Sequence, residues 1–162
     1  MRFNVSLAAV ILLFATALHC QTPSSESTTP SHDLSAEREL FEHYSHDFQE
    51  IVKALPAGDR DSFQAALDFR DTSMEASWDV GAAQDMLAMY DRITCSVDRI
   101  RVKPILIVRL QLYAARMDER VDHVSSLASV VKNVEVVQMA LKMKDYYRSA
   151  NQMLESIATS IK

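Results

Sequence analysis

From Pro104 to Val131 the chain reads PILIVRLQLYAARMDERVDHVSSLASVV, and the fold class turns on whether this run is strand or helix. Its opening, Ile105 to Val108, is β-prone when taken alone. Over the longer run, however, Leu106, Leu110, Tyr113, Met117, Val121, Val124, Ala128 and Val131 recur at steps of three and four residues. That spacing keeps them on one face of a helix for about seven turns. No other segment offers a convincing partner strand, so the reading is helical, with Pro104 suited to a first turn where its missing N–H costs nothing. Ile105, Ile107, Val108 and Leu112 add apolar side chains on other faces, and this helix is expected to be the central, most buried one.

The same period extends outward on both sides. Before Pro56, Phe41, Tyr44, Phe48, Ile51 and Leu55 form one stripe, with Asp33 or Ser35 able to cap the helix start. After Pro56-Ala57-Gly58, Asp59 can cap a second helix with the stripe Phe63, Leu67, Met74 and Trp78, ending near Gly81. A third is expected from Ala82, through Ala83, Met86, Tyr90, Ile93, Val97 and Ile100. The last, from about Val134 to Ile161, repeats Val136, Ala140, Met143, Tyr147, Ala150, Leu154, Ile157 and Ile161. With only two glycines and four prolines in 162 residues, the chain is poor in turn formers. The expectation is an all-α protein, an antiparallel four- to five-helix bundle over residues 33–162 whose short connectors favour neighbours packing up and down.

Ahead of the bundle lie two segments of different character. Arg2, Phe3 and Asn4 precede an apolar stretch from Leu7 to Leu18, with small residues at Ala15 and Ala17. This is the order of a secretory signal peptide over residues 1–20, and the stretch is short for a membrane span. Cleavage after Cys20 leaves Gln21 first; cleavage after Ala17 keeps Cys20. Residues 21–32, rich in Ser, Thr and Pro, bury too little apolar area to order themselves and read as a disordered polar arm. The expected localisation is secreted and extracellular, with no membrane span in the mature chain. Cys20 and Cys95 are the only cysteines. If both remain they can form a disulfide, and if Cys20 is removed Cys95 can link two copies into a disulfide-bonded dimer.

Charge is divided unevenly. From Asp33 to Asp91 there are fourteen acidic and four basic residues, a balance of −10; from Arg92 to Lys162 there are seven acidic and twelve basic, a balance of +5. Acidic and basic helix flanks are therefore expected to face each other across the bundle. The other use of the basic half is an interface for an acidic partner built from Arg99, Arg101, Lys103 and Arg109. The overall acidity, −5, argues against general nucleic-acid binding.

Candidate chemistry is sparse. His43 and His46, near Glu39, Asp47 and Glu50, offer two imidazoles and a carboxylate, but inward Glu-x-x-His pairs on facing helices are not repeated. Pairing of each histidine with the carboxylate four residues on, Asp47 or Glu50, is the expected state. His123 follows Glu119 by one turn and adjoins Asp122, a surface ion pair by the same reasoning. Cys95 lies about 200° around a continuous helix from Ile93 and is expected to be accessible. There is no glycine-rich phosphate loop, Gly-x-Ser-x-Gly elbow, Cys-x-x-Cys or His-Glu-x-x-His. No cofactor is expected and catalysis is not. Met86, Met117, Met143, Tyr113 and Tyr147 read as core and, alternatively, as the lining of a soft apolar pocket. Trp78 reads both as a stripe residue and as an interface anchor.

Leu106-Ile107-Val108-Arg109-Leu110-Gln111-Leu112 resembles the alternating leucine motif by which some plant nuclear proteins recruit co-repressors, with Val108 where that motif has leucine. Packing in the core is the expected role of these residues. The general layout, a signal peptide, a Ser/Thr/Pro arm and a small helical domain, resembles that of secreted effectors that parasites and plant-associated microbes send toward their hosts. Arg38-Glu39-Leu40 runs on to Phe41, so the Arg-x-Leu-Arg entry signature is not present. The expected function is that of a secreted, non-enzymatic, host-directed effector of the virulence or immune-modulating type, binding a protein partner. The alternative is a soluble extracellular carrier of a lipid or other apolar ligand within the bundle.

Overall fold

The computed structural model describes residues 33–161, which form four helices with no strand among them. They are α1 (Ser35–Ala54), α2 (Arg60–Asp91), α3 (Ser96–Ala128) and α4 (Val134–Ser160). The expected signal peptide, polar arm and Cys20 lie outside the described residues. No described helix is long and apolar enough to cross a membrane.

Local chemistry sets the ends of these helices. Asp59 accepts from the Ser62 amide at 3.3 Å and Asn133 from the Val136 amide at 3.1 Å, each satisfying a first-turn N–H. From two residues ahead of α1, Asp33 accepts from the Ser35 amide at 3.0 Å, while the cap position itself is held by Leu34 rather than by Asp33 or Ser35. Pro56 follows Leu55, where extended backbone ends α1.

Contacts between helices run in opposite directions along the chain. Ser73 bonds to Phe41, Arg70 to Gln49 and Gln84 to Asp33, so α1 and α2 are antiparallel. Asp91 meets Arg99, Asp79 meets Arg116 and Asp68 meets His123, so α2 and α3 are antiparallel as well. α4 packs along α3 and reaches both α1 and α2. The core is centred on Phe41, Phe48, Phe69, Leu110, Met117 and Tyr147, all essentially excluded from solvent. Each such side chain contributes roughly 1.5–3 kcal/mol by leaving water. Phe41 stacks on Tyr147 with ring centroids 5.1 Å apart, tying α1 to α4.

The stripes of α1 and α4, apart from the half-buried Leu55 and Ile161 at their C-caps, and the inner stripe of α3 from Leu106 to Val124 are buried where the sequence puts them. Five expectations are corrected. Gly81 does not divide two helices: α2 runs through it, because one glycine costs a helix only about 1 kcal/mol and packing more than offsets that. The break falls instead at residues 92–95. Pro104 is not in a first turn but inside α3, at an exposed position on its outer side where the carbonyl left without a donor can face water.

The stripe expected to bury Phe63 and Trp78 points outward. Phe63 is exposed and Trp78 is 65 % exposed, while the inward face of α2 is Ala65, Phe69, Ala76, Val80, Ala83 and Leu87. Val97 and Ile100 are likewise outside, and α3 is not buried all round, since Ile105, Val108 and Leu112 face solvent.

Candidate functional site

A groove lies between α2 and α3, an open trough of about 690 Å³ lined by Thr72, Glu75, Trp78, Asp79, Arg116, Glu119, Arg120 and His123. Its residues arise from two simple spacings. Asp68, Thr72, Glu75 and Asp79 follow one another at four, three and four residues along α2. Arg116, Arg120 and His123 do so at four and three along α3. Each set falls on one line of its helix, and antiparallel packing sets an acidic line against a basic one.

Asp79 is the centre of this arrangement. Its Oδ1 accepts from Arg116 Nη1 at 2.8 Å, and Arg120 Nη2 stands 2.8 Å from its Oδ2. The second contact is close, but the N–H is not aimed at the oxygen, so Oδ2 is held by charge rather than by a directed hydrogen bond. The side chains of Asp79 and Arg120 are only 10 % and 11 % exposed, which strengthens their attraction relative to a pair in water. Glu75, on the rim, lies 3.7 Å from Arg120. His123 Nε2 is in short contact with Asp68 Oδ2 at the far end. Beneath this ladder Tyr147 is sealed in the core, its hydroxyl 3.4 Å from Met143 Sδ, and burial pushes its phenol upward. Burial, followed by the nearby Asp79 carboxylate, also raises Tyr113.

Trp78 stands at the lip of the trough on the outward side of α2. The site therefore offers one large exposed ring beside a set of fixed charges. Nothing in it is poised as a nucleophile: Ser125 donates to the Val121 carbonyl at 2.6 Å and Thr72 to the Asp68 carbonyl at 2.9 Å, both within their own helices. Among the described residues no three His, Cys, Asp or Glu side chains converge to hold a metal ion.

The other sequence candidates are scattered. Arg99 lies over the Tyr90 ring at 4.9 Å and 3.7 Å from Asp91, which ties it to the α2–α3 turn. Arg101 is exposed and 3.9 Å from Asp98 of its own helix. Lys103 and Arg109 are half-buried. At about 100° per residue Lys103 is some 200° from Arg101 and Arg109 some 80°, so the four do not share one face. Cys95 is half-buried, lies just before α3 rather than within a helix, and has no disulfide partner among the described residues. His43 and His46 are exposed and 3.3 Å and 3.9 Å from Asp47 and Glu50. His123 pairs across the groove with Asp68, not along its helix with Glu119 or Asp122.

Asp79, Arg116 and Arg120 were not singled out from the sequence. The signal was the opposed charge of the two halves, which becomes specific once α2 and α3 are known to be antiparallel neighbours. No protein-family model matches the chain, nor does any curated protein or solved structure.

Proposed function

We propose that the chain is an exported, non-enzymatic, host-directed interaction protein that captures a protein partner on the outward side of α2, with Trp78 as the anchor and the α2–α3 groove as its charged rim. Trp78 carries this reading. A tryptophan left 65 % exposed is the side chain most enriched at binding hot spots, and this one sits beside Arg116, Glu119 and His123, which can fix the register of a partner. Phe63, also exposed on the same side of α2, extends the apolar area. Met117, Met143 and Tyr147, the side chains a lipid carrier would need around its ligand, are packed with no exposure to solvent, which favours partner capture over carriage.

The test is pull-down from extracellular fluid or host tissue with the wild-type chain and Trp78→Ala. A specific protein recovered by the wild type and reduced about tenfold or more by the substitution is the expected result, the loss typical of a hot-spot residue. Equal recovery by both chains, or co-purifying lipid in native mass spectrometry, would count against it.

A further inference from the structure

Trp78 is the only tryptophan of the chain, and the helix that presents it is strongly acidic. From Arg60 to Asp91, α2 carries seven acidic and two basic residues, and no cation follows Arg70. Glu75 lies one turn before Trp78, and Asp71 and Asp85 lie two turns to either side of it, all three exposed.

The cations of the trough are already taken up within it. Arg116 and Arg120 both close on Asp79, and His123 closes on Asp68. Arg116, though half exposed, turns its Nη1 to Asp79. Glu119 enters none of these pairs, and Glu75, 60 % exposed, meets only Arg120, at 3.7 Å. Because Glu119 immediately precedes Arg120 in α3, Glu75 and Glu119 belong to opposite walls of the trough at nearly one level. Between those walls the nearly sealed Asp79 keeps Oδ2 without a hydrogen-bond donor. What the trough leaves unsatisfied is therefore negative, and it stands beside an exposed indole.

An indole face attracts cations, and a carboxylate takes the N–H groups of a guanidinium. Arginine suits both at once, being flat enough to stack on the ring and forked enough to reach an acid beside it. We propose that the partner captured at Trp78 presents a basic segment, with an arginine laid on the indole and its N–H groups donated to Glu75 and Glu119. The inference rests on the capture reading above and adds the partner's chemistry to it. The balance of −10 from Asp33 to Asp91, against +5 from Arg92 to Lys162, steers such a segment toward the α2 side. An acidic segment has less to hold, since Arg116 and Arg120 would have to leave a carboxylate that is nearly sealed.

As the sole tryptophan, Trp78 is its own reporter. Titration of the full chain with hexaarginine and with hexaglutamate, read by tryptophan emission, tests the proposal. The expected result is a saturable change with hexaarginine that weakens as salt is raised, and none with hexaglutamate. E75Q/E119Q is expected to raise the hexaarginine dissociation constant at least about fivefold, whereas E39Q/E155Q, the same change of net charge at exposed positions outside the trough, moves it by less than about twofold. Silence toward hexaarginine up to about 1 mM overturns the proposal. So does a response to hexaglutamate as strong as that to hexaarginine, or equal losses in the two double variants. Pull-down keeps this inference distinct from the reading beneath it. Recovery that falls in Trp78→Ala but not in E75Q/E119Q overturns the basic segment and leaves capture at Trp78 standing; recovery unchanged in Trp78→Ala removes both.

Discussion

The two sides of α2 are joined to their neighbours by opposite means. Toward α1 the line is Ser73, Ser77 and Gly81 at four-residue intervals, and closeness is the result: Ser73 reaches the Phe41 carbonyl at 2.6 Å, and a Cβ on Gly81 would lie 3.5 Å from the Arg38 side chain. Toward α3 the line is Asp68, Glu75 and Asp79, and the join is ionic. Small side chains let backbones approach until the larger core residues of both helices interlock. Charges hold two helices at arm's length and leave a trough above. A helix can thus be fastened on one side by what it lacks and on the other by what it carries, and only the second side leaves a surface that can address a partner.

The comparison breaks most visibly at Asp79. Arg120→Met removes one cation from a carboxylate that is nearly sealed, and the expected cost is about 3 kcal/mol in urea denaturation, at the lower end for broken buried pairs because Arg116 remains. Replacing both members, Asp79→Leu with Arg120→Met, is expected to recover most of that loss, since the pair offsets its own desolvation only in part. If the double variant is as weak as the single one, the seam depends on its charge and not merely on matching.

On the α1 side the expected effects are smaller and have both signs. Ser77 is fully buried, so Ser77→Leu overfills the seam and is expected to cost about 1–3 kcal/mol. Gly81→Ala is expected to gain roughly 0.5–1 kcal/mol, because the added methyl meets only ordinary van der Waals contact and the helix no longer carries the entropy cost of glycine. Thermal unfolding of the two variants distinguishes a seam limited by volume from one limited by helix propensity.

Tyr147 touches both seams, stacking on Phe41 and lying under Arg120 and Asp68, and its effect should be the smallest at neutral pH. Tyr147→Phe loses one weak hydrogen bond to sulfur, about 0.5–1 kcal/mol. In alkali the sign changes. Burial raises Tyr147 and lifts Tyr44 to about 12, so the folded state favours the neutral phenols. The stability this confers is fully present below pH 10, the usual tyrosine value, and is lost as pH rises from there through the folded value. Urea midpoints at pH 8 and pH 11 should show Tyr147→Phe losing less than the wild type over that interval.

The same contrast explains what could be read in advance. The stripes of α1, α4 and inner α3 were legible because large apolar residues make up their buried lines. The ionic seam was legible in outline, from a −10 half and a +5 half, though not in its partners. The inward face of α2 was not, because Ala65, Ser73, Ala76 and Ser77 carry almost no hydropathy, while Phe63 and Trp78 on the outside carry a great deal. Gly81 and Pro104 were read as punctuation, which local propensity supports and tertiary packing overrode. The groove was hidden by helix pairing: its α2 residues all precede Gly81, but a helix ending there has the 82–100 helix as its next neighbour in sequence, and only a continuous α2 that ends at Asp91 lays α3 back beside them.

The connectors between the helices, residues 55–59, 92–95 and 129–133, bear on how the chain finds this arrangement in time. Each seam joins helices adjacent in sequence, and only the contacts of α4 with α1 and α2 close over a longer span. Helical bundles dominated by such local pairing fold within microseconds to milliseconds. A newly extended chain can therefore close each hairpin as soon as its second helix has formed, whereas the Phe41–Tyr147 stack, which joins the first helix to the last, closes only when α4 has formed.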